Sequence, residues 1–220
     1  MWVLLSIKSY ILSLTHCNAP GNRALWQMGI QHRDISASNM MYKRINCKIR
    51  GYLIDFDMSS LVGHDSRNLD RTGTMPFMAL ELLGSVAQEQ TPVLHVYAHD
   101  GEAVCWVVFW LCVQYNNGTR LRCSFQDWER VDATTCYMNK LYVIRQLRRY
   151  PFTDSNTLLQ GPIRRLLAKF RIRHEIQDRK GQIEEQIFEE LMGKEVPVPD
   201  IDGWMGECNK EIRAQISCIS

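Results

Sequence analysis

The chain has 220 residues, of which 45% are hydrophobic and 23% charged, and its formal net charge is +2. This composition is typical of globular proteins with one sizeable core, and it excludes intrinsic disorder. Charges of both signs are interspersed, which argues against nucleic acid or a membrane surface as the main partner. The eight cysteines include no CxxC pair, which favours buried thiols in an intracellular protein over a metal knuckle or a disulfide framework.

The first segments in chain order are an apolar start, the end of a helix and two strands. The stretch MWVLLSIKSYILSL contains Lys8 inside its apolar run and lacks a clear cleavage site, so a secretory signal is not expected. Residues 22–29, NRALWQMG, predict the end of a helix that stops at Gly29. NMMYKRI (39–45) and KIRGYLIDF (48–56) predict two short strands joined by a turn.

The rest of the chain predicts one long loop and a mainly helical body. Residues 57–73 are polar and turn-rich, which is typical of an exposed, mobile loop. The apolar run AVCWVVFWLCV is too short to cross a membrane and predicts a fully buried helix over about residues 99–115. Breaks at Pro151 and in the stretch PVPDIDG separate further helical segments. These segments cover residues 127–149, 156–176 and 181–193.

The stretch QHRDISASNMMY, residues 31–42, contains His-Arg-Asp followed after four residues by Asn39. This is the pattern of the catalytic loop of protein kinases, and LIDFD (53–57) and GTMPFMALE (73–81) follow in order. Phosphoryl transfer needs an aspartate beside the acceptor hydroxyl and oxygen donors for Mg²⁺. Asp34 suits the first role, and Asn39 and Asp55 suit the second. The simpler alternatives are a turn residue for Asp34 and a strand-end cap for Asp55.

With these segments the chain resembles the fungal-type protein kinases, a divergent branch of the eukaryotic protein kinase fold, over about residues 20–145. The resemblance implies an α+β kinase-like fold, with a mainly helical C-lobe and a short β-hairpin at the catalytic and metal loops. It also implies ATP and Mg²⁺ as cofactors and a protein as substrate. Residues 1–19 are expected to be a non-matching or truncated start, 20–150 the C-lobe core and 151–220 a helical remainder.

The resemblance implies a role for each matching residue. Asp34 would be the catalytic base, Asn39 and Asp55 the magnesium ligands, and Thr74 the brace of the catalytic aspartate. His32 and Phe56 would pack in the internal spine. Arg33 would bind a phosphorylated activation loop, and Asp100 would connect the central helix to the catalytic loop.

Three positions depart from the usual kinase pattern. Ser36, which we include among the catalytic positions, replaces a lysine whose charge would stabilise the transferring phosphoryl group. Asp57 replaces the glycine after the metal-binding aspartate, and Leu80 replaces the proline before Glu81. An ion pair of Glu81 remains expected, although the sequence does not identify its arginine partner.

The start of the chain leaves three functional hypotheses open. Only 31 residues precede His32, whereas the N-terminal lobe of a kinase needs roughly 55 to 65, so this lobe is expected to be absent or truncated. The first hypothesis is a Ser/Thr-type protein kinase in truncated form, and the second is a non-catalytic kinase-like binding module. The third, favoured by Asp57 but opposed by Arg33 and residues 73–81, is a small-molecule kinase.

Overall fold

The computed structural model describes residues 23–45, 48–61, 73–89, 93–121, 128, 130–180, 199–200, 203 and 210. Within these ranges, five α-helices combine with three two-stranded antiparallel sheets, which agrees with the predicted α+β class. None of the described helices has the length and hydropathy that a membrane crossing requires. The helices are α1 (Arg23–Gln27), α2 (Leu80–Ala87), α3 (Tyr97–Gln114), α4 (Ala133–Arg145) and α5 (Gln160–Lys180). The strands are β1 (Ile30–Gln31), β2 (Met40–Ile45), β3 (Lys48–Leu53), β4 (Ser60–Leu61), β5 (Tyr115–Asn116) and β6 (Thr119–Arg120).

Helix α1 ends at a glycine turn that leads into the first strand. Gly29 has a φ of +78° and its N–H donates to the carbonyl of Trp26 at 2.9 Å, which confirms the predicted helix stop. The next two residues form β1, which pairs with β4 through Gln31 and Ser60. Ser60 and Leu61 were predicted to lie in a loop. That prediction was wrong because a two-residue strand carries no periodicity, and residues 62–72 lie outside the described ranges.

Strands β2 and β3 form the predicted hairpin. Their register runs from Met40 opposite Leu53 to Ile45 opposite Lys48. At the open end of the hairpin, Ile54 follows β3 and Asn39 precedes β2. The N–H of Ile54 donates to the carbonyl of Asn39 at 2.9 Å. The hairpin therefore holds the segment that ends at Asn39 beside the segment that begins at Ile54.

Helix α3 is the centre of the core. Every residue from Ala98 to Gln114 is buried, so the prediction of an all-round buried helix is confirmed. Edge-to-face contacts of Trp106 with Phe109 and of Phe109 with Phe152 contribute to this packing. The chain leaves the helix through the hairpin of β5 and β6, whose turn was predicted from its Asn-Asn-Gly sequence.

Helices α4 and α5 complete the body. The helix predicted from residue 127 begins at Ala133 because Asp132 caps it, accepting from the N–H of Thr135 at 2.9 Å. The helix predicted over residues 156–176 is preceded by a 3₁₀ turn, Asp154–Leu159, and continues as α5. The helix predicted over residues 181–193 lies outside the described residues.

Candidate active site

The carboxylate of Asp34 is fixed from two sides. Its Oδ1 accepts from the N–H of Thr74 at 2.9 Å and from the Thr74 hydroxyl at 3.0 Å. Its Oδ2 accepts from the side-chain amide of Asn39 at 2.9 Å, and the same amide donates to the Asp34 carbonyl at 3.0 Å. A carboxylate has about four acceptor sites, so one site on Oδ2 remains for a further donor. The structure thus brings together Asp34, Asn39 and Thr74, which the sequence placed in one site.

Glycine at position 73 allows Thr74 to approach Asp34. Gly73 has a φ of +147°, which side chains with a Cβ rarely adopt. A Cβ at this position would lie 3.3 Å from the carbonyl oxygen of Arg33 and 3.9 Å from Oδ1 of Asp34. Close contact between residue 73 and the loop that carries Asp34 therefore favours glycine for both conformation and space.

Asn39 and Asp55 carry side-chain oxygens suited to a hard cation, and they lie on neighbouring segments that the backbone bond between Ile54 and Asn39 joins. The amide nitrogen of Asn39 donates to Asp34, and its Oδ1 accepts from the hydroxyl of Ser38 at 3.5 Å. Asp55 directly follows Ile54, which is bonded to Asn39 through the backbone, and Asp55 is exposed. Amide and carboxylate oxygens are the ligands that Mg²⁺ prefers, so the donor set present fits this ion.

The backbone is strained at both ends of this arrangement. Arg33 has a φ of +70° and Asp55 a φ of +63°, a region that costs residues other than glycine about 1–2 kcal/mol. Strain of this kind persists where surrounding contacts over-determine the conformation, and it concentrates at functional sites. Arg33, expected to grip a phosphorylated loop, is half-buried, and residues 62–72 of that loop lie outside the described ranges.

His32 connects the loop of Asp34 to the segment of Asp55. The His32 ring is fully buried, its Nδ1 accepts from the N–H of Asp34 at 3.4 Å, and its Nε2 donates to the carbonyl of Ile54 at 3.1 Å. These partners select the neutral tautomer with the proton on Nε2. The ring also packs on Phe56 with centroids 4.8 Å apart, although Phe56 remains 39% exposed.

Ser36 is directed into the loop. It is fully buried, its hydroxyl lies 2.8 Å from that of Ser38, and the N–H of Asn39 donates to it at 3.3 Å. The hydroxyl therefore shapes the turn that presents Asn39.

Asp100 is a buried acceptor at the start of α3. It accepts from Trp26 Nε1 at 3.0 Å and lies 2.9 Å from His95 Nε2. Burial raises the pKa of Asp100, but the hydrogen bond and charge of His95 and the bond from Trp26 bring the pKa below its ordinary value. Asp100 borders one small cavity together with the loop of Asp34, and this cavity is also lined by Arg33, Thr74, His95 and His99.

Glu81 pairs with a histidine. His99 accepts from the N–H of Val96 at Nδ1 and lies 2.8 Å from Glu81 Oε2 through Nε2, while Gln177 donates to the same oxygen at 2.7 Å. Burial raises the pKa of Glu81, but the hydrogen bonds from His99 and Gln177 and the charge of Arg173 bring the pKa below its ordinary value. Sequence reasoning missed His95 and His99. The two histidines of HVYAH, four positions apart at a helix start, were the available signal.

Part of the chain matches a known protein family. Residues 6–112, just under half of the chain, match the family described as fungal protein kinase. The match confirms the resemblance stated from the sequence, and it includes Asp34, Asn39, Asp55 and Thr74. The comparison with curated proteins gives no match. The family match indicates a kinase-like function.

Proposed function

From the match of residues 6–112 to the fungal protein kinases, we propose that the chain forms the mainly helical, catalytic-loop part of a protein kinase that transfers phosphate from MgATP to serine or threonine hydroxyls of proteins. The observation that carries this proposal is the Asp34 carboxylate, held by Thr74 on one oxygen and by Asn39 on the other. An acceptor fixed in this way is pre-organised for a hydroxyl of the substrate.

Asp34 is the proposed general base. Its three side-chain hydrogen bonds fix the rotamer, and the remaining acceptor site on Oδ2 receives the substrate hydroxyl. The hydroxyl is thereby oriented toward the γ-phosphate, and its proton passes to Oδ2 as the new oxygen–phosphorus bond forms. The bond between the γ-phosphorus and the bridging oxygen of ATP breaks in the same transfer, and ADP leaves. Thr74 serves this step by preventing rotation of the carboxylate.

Asn39 and Asp55 are the proposed holders of Mg²⁺. When bound, this ion would neutralise negative charge that develops on the phosphates during transfer. Asn39 contributes to both halves of the site, because its amide nitrogen orients Asp34. Its oxygen accepts from the Ser38 hydroxyl at 3.5 Å and has a second lone pair for the cation. Ser36 contributes no charge, so the phosphoryl group receives less stabilisation than a lysine at that position would give.

The test is transfer of the γ-phosphate of ATP to a mixture of protein substrates in the presence of Mg²⁺. Asp34→Asn keeps the size of the side chain and removes the basic oxygen, so transfer is expected to fall about 10²- to 10⁴-fold. Asp154→Asn is the matched control, since Asp154 is exposed at the start of the 3₁₀ turn before α5. Transfer that is equal in the Asp34 and Asp154 variants would reject the assignment.

A second candidate function is a kinase-like binding module, and Ser36 favours it. The side chain that replaces the lysine is fully buried and bonds within its own loop. A module of this kind would bind its protein partner equally well with and without Asp34→Asn and Asp55→Asn. Loss of partner binding together with loss of transfer would favour the enzyme instead.

A further inference from the structure

Lys140 of α4 lies in the interior of the protein. Its side chain is fully buried, and its ammonium donates to the carbonyl of Met78. The same nitrogen lies 4.4 Å from the ring centroid of Trp106, at a distance where an indole face attracts a cation. A carbonyl and an aromatic ring thus take the place of water around this charge.

Glu102 of α3 shares Trp106 with Lys140, since the indole N–H binds Glu102 and the indole face contacts the ammonium. Its Oε1 accepts from the N–H of Leu80 at 2.9 Å and from Trp106 Nε1 at 2.9 Å. Burial lowers the pKa of Lys140 to about 8, although the negative charge of Glu102 acts in the opposite direction. Lys140 donates to the carbonyl of Met78, just before Ala79, and Glu102 accepts from the N–H of Leu80, just after it. These two hydrogen bonds fix the start of α2.

Hydrogen bonds connect Lys140 to Asp34. Met78, whose carbonyl accepts from Lys140, donates its own N–H to the carbonyl of Thr74 at 3.1 Å. The N–H of Phe77 donates to the same carbonyl at 2.9 Å. Thr74 in turn donates its N–H and its hydroxyl to Asp34. Residues 74–78 therefore form one bonded turn between the buried ammonium and the Asp34 carboxylate.

We propose that Lys140 is a positioning residue that sets the orientation of Asp34 through Met78 and Thr74. Its importance for phosphoryl transfer rests on the proposed function, whereas its control of the turn does not. When Lys140 loses its proton, the carbonyl of Met78 loses a charge-assisted donor. The turn at residues 74–78 then relaxes, and the hold of Thr74 on Asp34 weakens.

Other titratable or charged groups face the same region. Glu102 approaches Lys140 from α3, and Cys136 approaches it from one turn earlier on α4, with a thiol whose pKa is raised by burial. The groups that share the cavity with Thr74 are Arg33, Asp34, His95, His99 and Asp100. The test must therefore assign the pH response to Lys140 by substitution.

The experiment follows the ¹³C-methyl NMR signals of Thr74 and Met78 between pH 6 and pH 10. In the wild-type protein both signals are expected to shift with a common midpoint near pH 8, the pKa of Lys140. Glu102→Gln keeps an acceptor oxygen but removes the charge, so the midpoint is expected to move to lower pH. Lys140→Met is expected to abolish the transition.

Two control variants accompany these measurements. Lys169→Met removes an exposed lysine on α5 and is expected to leave the transition unchanged. Cys136→Ala removes the thiol near Lys140, and the transition is expected to persist.

The proposal is overturned if the wild-type signals show no transition, if Lys140→Met retains it, or if Cys136→Ala removes it. If Lys140→Met fails to fold, the proposal is tested by the direction in which Glu102→Gln moves the midpoint. An unchanged or raised midpoint in Glu102→Gln counts against the proposal. The NMR readout requires no phosphoryl transfer. Failure of the positioning role and failure of the proposed kinase function are therefore distinguishable.

Discussion

The buried lysine of α4 makes the stability of the protein depend on pH in a defined window. The folded protein lowers the pKa of Lys140 to about 8 from its ordinary value of 10.5. Below pH 8 both the folded and the unfolded chain keep the proton, so this group adds no pH dependence. Between pH 8 and pH 10.5 the unfolded chain binds the additional proton, and stability rises with pH.

The size of this rise in unfolding free energy follows from the difference between the pKa values of Lys140 in the folded and the unfolded chain. A tenfold change in proton affinity is worth about 1.4 kcal/mol, so the rise from this group amounts to roughly 3 kcal/mol across the window. Cys136, Tyr137 and Tyr150 have pKa values raised by burial, and they act in the opposite direction at alkaline pH. The informative quantity is therefore the difference in unfolding free energy between the wild type and Lys140→Met, in which these three groups are shared.

Urea unfolding at several pH values between 7 and 10.5, under reducing conditions, measures this difference. The wild type is expected to gain about 3 kcal/mol relative to Lys140→Met as the pH rises through the window. Lys169→Met, which lacks an exposed lysine, is expected to follow the wild type. A difference between wild type and Lys140→Met that stays constant with pH would refute the reasoning, because Lys140 would then titrate alike in both states.

Three further substitutions test the packing around the site. Gly73→Ala is expected to lose about 1–3 kcal/mol of unfolding free energy and the Thr74 contacts, because its φ is +147° and its Cβ would lie 3.3 Å from the carbonyl of Arg33. Gly84→Ala is expected to lose about 1–3 kcal/mol despite better helix propensity, because its Cβ would lie 2.9 Å from a ring carbon of Tyr137. Asp132→Ala removes the cap of α4 and is expected to lower the free energy of unfolding. Each is measured by urea unfolding at pH 7.

The matched control for both glycine variants is Gly161→Ala. Gly161 lies in α5 and a Cβ there would meet Arg165 Nη1 at 3.4 Å, so alanine meets no packing clash. Because Pro162 follows, no gain in helix propensity is expected, and the free energy of unfolding should change by less than about 1 kcal/mol. Gly73→Ala or Gly84→Ala behaving like Gly161→Ala would contradict the contacts described. Equal stability of Asp132→Ala and the wild type would contradict the capping role of Asp132.

The parts of the fold that the sequence predicted correctly are those with strong local patterns. The stop of α1 follows from the conformational freedom of Gly29, and the buried helix α3 follows from an apolar run without interruption. The hairpin of β2 and β3 follows from two short strand-like segments around a turn. In these cases neighbouring residues alone decide the structure.

The parts that were missed depend on contacts between distant residues. Strands β1 and β4 are two residues long and pair across about 30 positions, so no local period marks them. The partner of Glu81 is a histidine 18 positions away, although an arginine was expected. Lys140 carried a usable signal, because Cys136, Tyr137 and Val143 place it within the apolar stripe of α4. Its carbonyl partner, Met78, lies 62 positions away, and no local rule identifies it.

The residues of the site were easier to identify from the sequence than the contacts of the fold around them, because a short motif specifies the residue types that the chemistry requires. The grouping of Asp34, Asn39 and Thr74 follows from the motif order, and the structure joins them by hydrogen bonds. Their catalytic and metal-binding roles remain predictions. Gly73 was not singled out, because the sequence does not show that it packs against the carbonyl of Arg33.

The central claim is that Asn39 and Asp55 hold a cation beside Asp34, and Mn²⁺ binding followed by NMR tests it most directly. Mn²⁺ shares the preference of Mg²⁺ for oxygen ligands and broadens nearby signals. We predict selective broadening around Asn39 and Asp55 in the wild type and in Asp154→Asn, and its loss in Asp55→Asn. Broadening that persists in Asp55→Asn, or that centres on another part of the described chain, would contradict the account.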